Sequence, residues 1–185
     1  MLASAVFLSL ILRNDVQIIP EGVRYKRVSD ATNQRAVAVM KQFFATPRDR
    51  VDAAAISDQV VALGPGIWTD IKAAAPKSVQ GAPNANFYVH GSSGVHMFNG
   101  RALYKPDQKA AFWKLLLKHY SVGRNPVVRK ATSSEINYYW AWVPHDIQEP
   151  LVIVEAGKAR LLFNLRNDGR ALRVFTVDRI GVLGK

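Results

Sequence analysis

Apolar and polar positions alternate most plainly in the last third of the chain. Residues 136–180 read INYYWAWV, PHDIQEP, LVIVE, AGK, ARLLFNLR, NDG and RALRVFTVDRI. Runs rich in Val, Ile, Phe, Tyr and Trp are separated by clusters of Pro, Gly, Asn and Asp, the pattern of an antiparallel meander. The spacing predicts strands at 136–143, 151–155, 159–166 and 170–178, the last three consecutive and antiparallel. Ala156-Gly157-Lys158 and Asn167-Asp168-Gly169 supply the turns between them.

Upstream, the period changes. Residues 14–28 read as extended, with Pro20-Glu21-Gly22 as a turn. Ser29 or Asp30 can cap a helix to about residue 45, in which Ala36, Val39, Met40, Phe43 and Phe44 form one apolar face. Thr46-Pro47 is expected to end it and to open a second helix over about 47–63, carrying Val51, Ala55, Ile56, Val60 and Leu63 and stopped by Gly64, with Ser57-Asp58 as the point where it can break in two. A short third helix holds Ile67, Trp68 and Ile71 and ends at Pro76. Residues 76–86 are predicted as a loop and a hinge. Short strands follow at 87–90, 95–98 and 101–104, with Asn99-Gly100 as a two-residue hairpin turn. Pro106-Asp107 opens a helix to about residue 120. Its Phe112, Trp113, Leu115, Leu116, Leu117 and Tyr120 leave only a narrow stripe of Lys114, Lys118, Ala110 and Ala111, so burial on most sides or in an interface is expected. A further strand is predicted at 127–129.

These elements predict an α+β fold: N-terminal helices and one nearly buried helix packed on a curved antiparallel β-meander. The chain reads as a single domain over 1–185, with an apolar and extended segment at 1–28, a helical part at 29–76 and the sheet with its helix 107–120 at 87–180. Early helices followed by a terminal meander resemble the cone-shaped NTF2-like or cystatin-like folds. The resemblance is one of element order, rests on no motif and implies nothing about function.

Composition narrows the chemistry. Hydrophobic residues make up 49% and charged residues 21% of the 185, an ordinary globular balance. The 25 Lys and Arg outnumber the 14 Asp and Glu for a net charge of +11, which favours an anionic partner; solubility alone is the plain alternative. The absence of cysteine excludes disulfides, thiol catalysis and Cys-ligated zinc. The apolar start, MLASAVFLSLIL, falls short of the ~20 residues of a membrane span and lacks the features of a signal peptide. It reads as a buried element or a segment lying in a partner surface.

Two stretches could carry chemistry. In His90-Gly-Ser-Ser-Gly-Val-His96, Ser92 and Ser93 lie in a glycine loop that can present N–H groups to an anion. Pairing across the loop could bring His90 and His96 near one metal, but a third ligand is needed and neither His119 nor His145 is placed to supply it. A plain hairpin is the default reading, and no metal or cofactor is expected. The nucleophile elbow, the phosphate-binding loop and the dinucleotide fingerprint are all absent.

The second stretch is basic. Between Asp107 and Glu135 there is no acidic residue, while Lys109, Lys114, Lys118, Arg124, Arg129 and Lys130 lie within it. Trp113, Tyr120, Tyr138, Tyr139, Trp140 and Trp142 are near in sequence. Such a mixture suits phospholipid headgroups or single-stranded nucleic acid; the plain alternative is a core of aromatics beneath a solvated face. The expectation is a non-catalytic accessory or structural subunit of a larger, membrane-associated assembly, contacting other protein subunits and anionic phospholipid. A mitochondrial membrane complex or a bacterial envelope would suit it. The alternatives are a small-ligand-binding or hydrolase/isomerase domain with His90 or His96 in a cavity, and an RNA-binding protein using 109–130.

Overall fold

Ser29 begins the first helix as its side chain dictates. Its hydroxyl accepts from the Thr32 amide at 3.1 Å and so caps α1 (Asp30–Ala45), which buries Ala36, Met40, Phe43 and Phe44. The structure is a computed structural model and describes residues 28–91, 94–132, 135, 149–167 and 170–182. The apolar start, the turn at Pro20 to Gly22, the strand at 136–143 and the His145 loop lie outside the described residues.

The helix expected over 47–63 is not formed. Thr46 closes α1, its amide and hydroxyl both donating to the Gln42 carbonyl. A short 3-10 turn (Arg48–Arg50) and a single turn of helix, α2 (Ala53–Ile56), follow, the latter capped by Asp52. Residues Ser57–Leu63 are then a strand, β1. Ile56, Val60 and Leu63 have helical spacing, but β-branched Val60 and Val61 fit a strand equally, and pairing on both sides decides for the strand. Gly64 accordingly caps α3 (Pro65–Ile71) instead of stopping a helix.

Residues 76–86 are not a loop throughout. They hold α4 (Lys77–Gln80), whose Val79 is fully buried and whose Ser78 carbonyl accepts from the Gln108 side chain at 3.1 Å. Next come β2 (Asn84–Gly91) and β3 (Gly94–Leu103), two long strands in place of three short ones. Asn99 pairs with Asn86 and Gly100 with Ala85, so Asn99-Gly100 lies mid-strand, and the reversal falls between Gly91 and Gly94. The helix α5 (Pro106–His119) and the strands β4 (Val127–Lys130), β5 (Leu151–Ala156), β6 (Ala159–Asn167) and β7 (Leu172–Val182) complete the described elements.

The seven strands form one sheet in the order β2-β3-β1-β7-β6-β5-β4. The α+β class holds, and β5, β6 and β7 form the predicted antiparallel meander, with Gly157 at φ +58° in the first turn. The sheet is mixed, however, because β1 runs parallel to β7. A strand from the N-terminal half closes the gap between the meander and the β2-β3 hairpin, a junction that local pattern does not encode.

The core lies where α1 and α5 cover the meander. The Trp113 ring stacks on Phe163 at 5.8 Å, and Phe43 and Phe44 pack around them. Helix α5 buries Phe112, Trp113 and Leu116 and leaves Lys114 and Lys118 exposed, while Leu115, Leu117 and Tyr120 are only partly covered. It is thus amphipathic instead of buried on most sides. Leu151, Val152, Ile153 and Val154 are all buried, so β5 is covered on both faces and its unbroken apolar run needs no alternation.

Candidate functional site

Beyond its first residues the β2-β3 hairpin leaves the rest of the sheet. Strand β1 pairs with β3 only at Arg101, Ala102 and Leu103. From Asn86 opposite Asn99 to Gly91 opposite Gly94, the two strands pair with each other alone among the described residues. This is a two-stranded arm of ~20 Å at the usual strand rise. His90 opposes Val95 and His96 opposes Val89, so the histidines are not cross-strand partners. Ser92 and Ser93 lie outside the described residues. No group of three or more His, Asp or Glu that could hold a metal occurs among the described residues.

The basic run does not form one face. Lys109 is turned inward: its Nζ donates to the carbonyls of Asp58 and Gln59 at 2.6 and 2.7 Å. Those carbonyls are available because the β1-β7 register shifts between Ser57 and Ala62. Burial pushes the Lys109 ammonium below its ordinary value, the Asp58 carboxylate opposes this, and Arg173 adds to the drop. Lys109 is therefore removed from any anion-binding surface.

Arg129 is neutralised within the fold. Its guanidinium meets Glu135 at 2.8 and 2.9 Å and Glu155 at 3.2 Å. Glu135 is held down to about 2 by Arg129 first and by the Thr132 amide and hydroxyl, against its own burial. Thr132 and Glu135 exchange side-chain-to-backbone hydrogen bonds in capping-box form, with Glu135 helical, a signal that lay in the sequence as T-x-x-E.

Arg124 donates to the Ala45 carbonyl at 3.3 Å and Arg48 to those of Val122 and Gly123 at 2.7 and 2.8 Å, so these two cations close the ends of α1 and α5. Lys130 is exposed, 3.6 Å from Asp30. Lys114 and Lys118, one turn apart on the outer side of α5, are exposed and form no ion pair with a described residue. Of the predicted set, Lys114, Lys118, Arg124 and Lys130 are exposed, Lys130 beside Asp30.

Two arrangements were not foreseen. The first is a groove of about 480 Å³ between α1, the segment 50–56 and the start of β7. Arg35, Val39 and Phe43 of α1, Arg50 and Ile56 of the segment after it, and Leu172 of β7 line it. The helical spacing of Arg35, Val39 and Phe43 was legible, but Arg50 and Ile56 were expected in a helix.

The second is a polar cluster around buried Asp178. Asp178 of β7 accepts from the Ile67 amide at 2.9 Å and so caps α3 from across the fold. Burial raises its carboxyl to about 7, against the amides of Ile67, Arg179 and Gly66 and the Arg179 charge. Beside it Arg179 pairs with Asp70, and Tyr120 donates its hydroxyl to Asp70 at 2.7 Å. Burial pushes the Tyr120 phenol up, and its hydrogen bond to Asp70 adds to this. These groups satisfy one another and tie α3, α5 and β7 together.

The chain matches no protein-family model, no curated protein and no solved structure. No described helix is long and apolar enough to cross a membrane.

Proposed function

We propose that this protein is a non-catalytic subunit of a larger assembly, docking on protein partners through the β2-β3 arm. The arm carries the reading. A two-stranded ribbon is marginally stable in water unless something covers it. This one has Phe87, Tyr88, Val89, Val95, Met97 and Phe98 in its sequence and pairs only with itself among the described residues. Its outer strand, β2, is also a sheet edge, and an open edge offers a partner a row of backbone donors and acceptors. The net charge of +11 and the outward Lys114 and Lys118 favour an acidic neighbour, protein or anionic lipid.

The test is site-specific photo-cross-linking of the full chain in its native extract. A photoreactive group at Tyr88 or Met97 should capture the same partner in near-stoichiometric yield, and one at Lys158, on the far β5-β6 turn, should not. A monomer that yields no adduct from either arm position would sink the reading.

A further inference from the structure

The groove beside α1 is independent of the arm, and its walls differ in chemistry. Its floor is apolar: Phe43, Ile56 and Leu172 are buried there, and the Phe43 ring lies 4.8 Å from that of Trp113. Its rim is cationic. Arg35 of α1 and Arg50 of the segment after it are exposed, and neither forms an ion pair with a described residue.

The acid of the lining, Asp52, is already engaged. Its Oδ1 accepts from the amides of Ala54 and Ala55 at 2.9 and 3.1 Å. The carbonyls at the end of α2 are engaged too, since Arg173 donates to Ala54 and Ala55 at 3.3 and 3.0 Å. Arginines outnumber the single acid of the lining, so the rim favours an anion, and the floor calls for an apolar group beneath it.

We propose that this groove binds an amphipathic carboxylate of medium chain length, its head between Arg35 and Arg50 and its tail on Phe43 and Leu172. Guanidinium forks suit a planar carboxylate by paired hydrogen bonds. The volume lies within the usual range for small-molecule sites, roughly 300–1,000 Å³, which suits a ligand of this size.

The probe is dodecanoate below its micellar concentration, titrated into the full chain by calorimetry and by tryptophan fluorescence, since Trp113 touches the Phe43 floor. Saturable binding of one ligand per chain is expected. It should weaken by about tenfold or more for dodecanol, which lacks the charge, and for the exposed pair Arg35→Glu, Arg50→Glu. Lys114→Glu, Lys118→Glu should bind as wild type does. Matching melting temperatures establish that the variants are folded. Non-saturable uptake, or equal affinity for dodecanol and for the Arg35→Glu, Arg50→Glu variant, would overturn the assignment. So would failure of dodecanoate beside tight binding of an acidic peptide, which would make the groove a protein-docking site.

Discussion

Asp178 shows how one side chain can set both a close approach and a pH response. A Cβ on Gly64 would overlap its carboxyl, and one on Gly66 would overlap the Arg179 carbonyl, so these glycines are there for space. Gly64→Ala should cost about 1–3 kcal/mol in urea unfolding, the usual range for overpacking. The folded carboxyl, at about 7, lies above the ordinary 3.8, so protonation favours the folded state. Its contribution is full below about 3.8 and is lost as pH rises through about 7. Stability should therefore fall between about pH 4 and 7, and Asp178→Asn should flatten that slope in unfolding curves taken at each pH. Glu135 acts in the opposite sense: its contribution is present above about 4.5 and is lost as pH falls towards 2. Glu135→Gln should accordingly flatten the acid limb.

At the scale of elements, β1 and α5 depend on each other. Strand β1 shifts register against β7, and the carbonyls this frees are met by Lys109 of α5; the Trp113 indole donates to the Ser57 hydroxyl at 2.9 Å. Lys109→Met keeps an unbranched side chain, one atom shorter, and removes the donor. It should destabilise by about 1–3 kcal/mol, the cost of leaving buried acceptors unmet. A loss in melting temperature with unchanged binding to anionic vesicles is expected; weaker vesicle binding with unchanged stability would return Lys109 to the surface set. Phe163 joins both helices to the meander and is fully buried. Phe163→Ala should cost roughly 3–5 kcal/mol, and a loss under 1 kcal/mol would mean that the stack carries little of the core.

For the molecule as a whole, the long-range field outlasts the pairing of individual cations. Lys114 and Lys118 face outward on one stripe, and the net charge of +11 surrounds them. Each cation near an anionic membrane contributes ~1 kcal/mol, so Lys114→Glu, Lys118→Glu should weaken co-sedimentation with anionic vesicles at low salt by more than tenfold. The difference should shrink at high salt. Equal sedimentation of wild type and variant would reduce the stripe to a solvated face, and tight RNA retention with no vesicle binding would favour a nucleic-acid partner.

The sequence by itself determined the elements whose signal is local. Ser29 caps α1, the 3.6 period places Phe43 and Phe44 inward, Pro106 opens α5, and turn residues at Gly157 separate apolar runs that can only pair antiparallel. Each depends on side chains within a turn or two of one another. Tertiary structure decided whatever depends on partners distant in the chain. Residues 57–63 became a strand because β3 and β7 flank them, and Asn99-Gly100 stayed within a strand because Asn86 and Ala85 lie opposite. Of six cations that looked alike in the sequence, Lys109 went inward to two carbonyls and Arg129 to two carboxylates, while Lys114 and Lys118 stayed out. Charge is a property of the residue, but its availability depends on which carbonyls and carboxylates the fold leaves within reach, and local pattern carries no record of those.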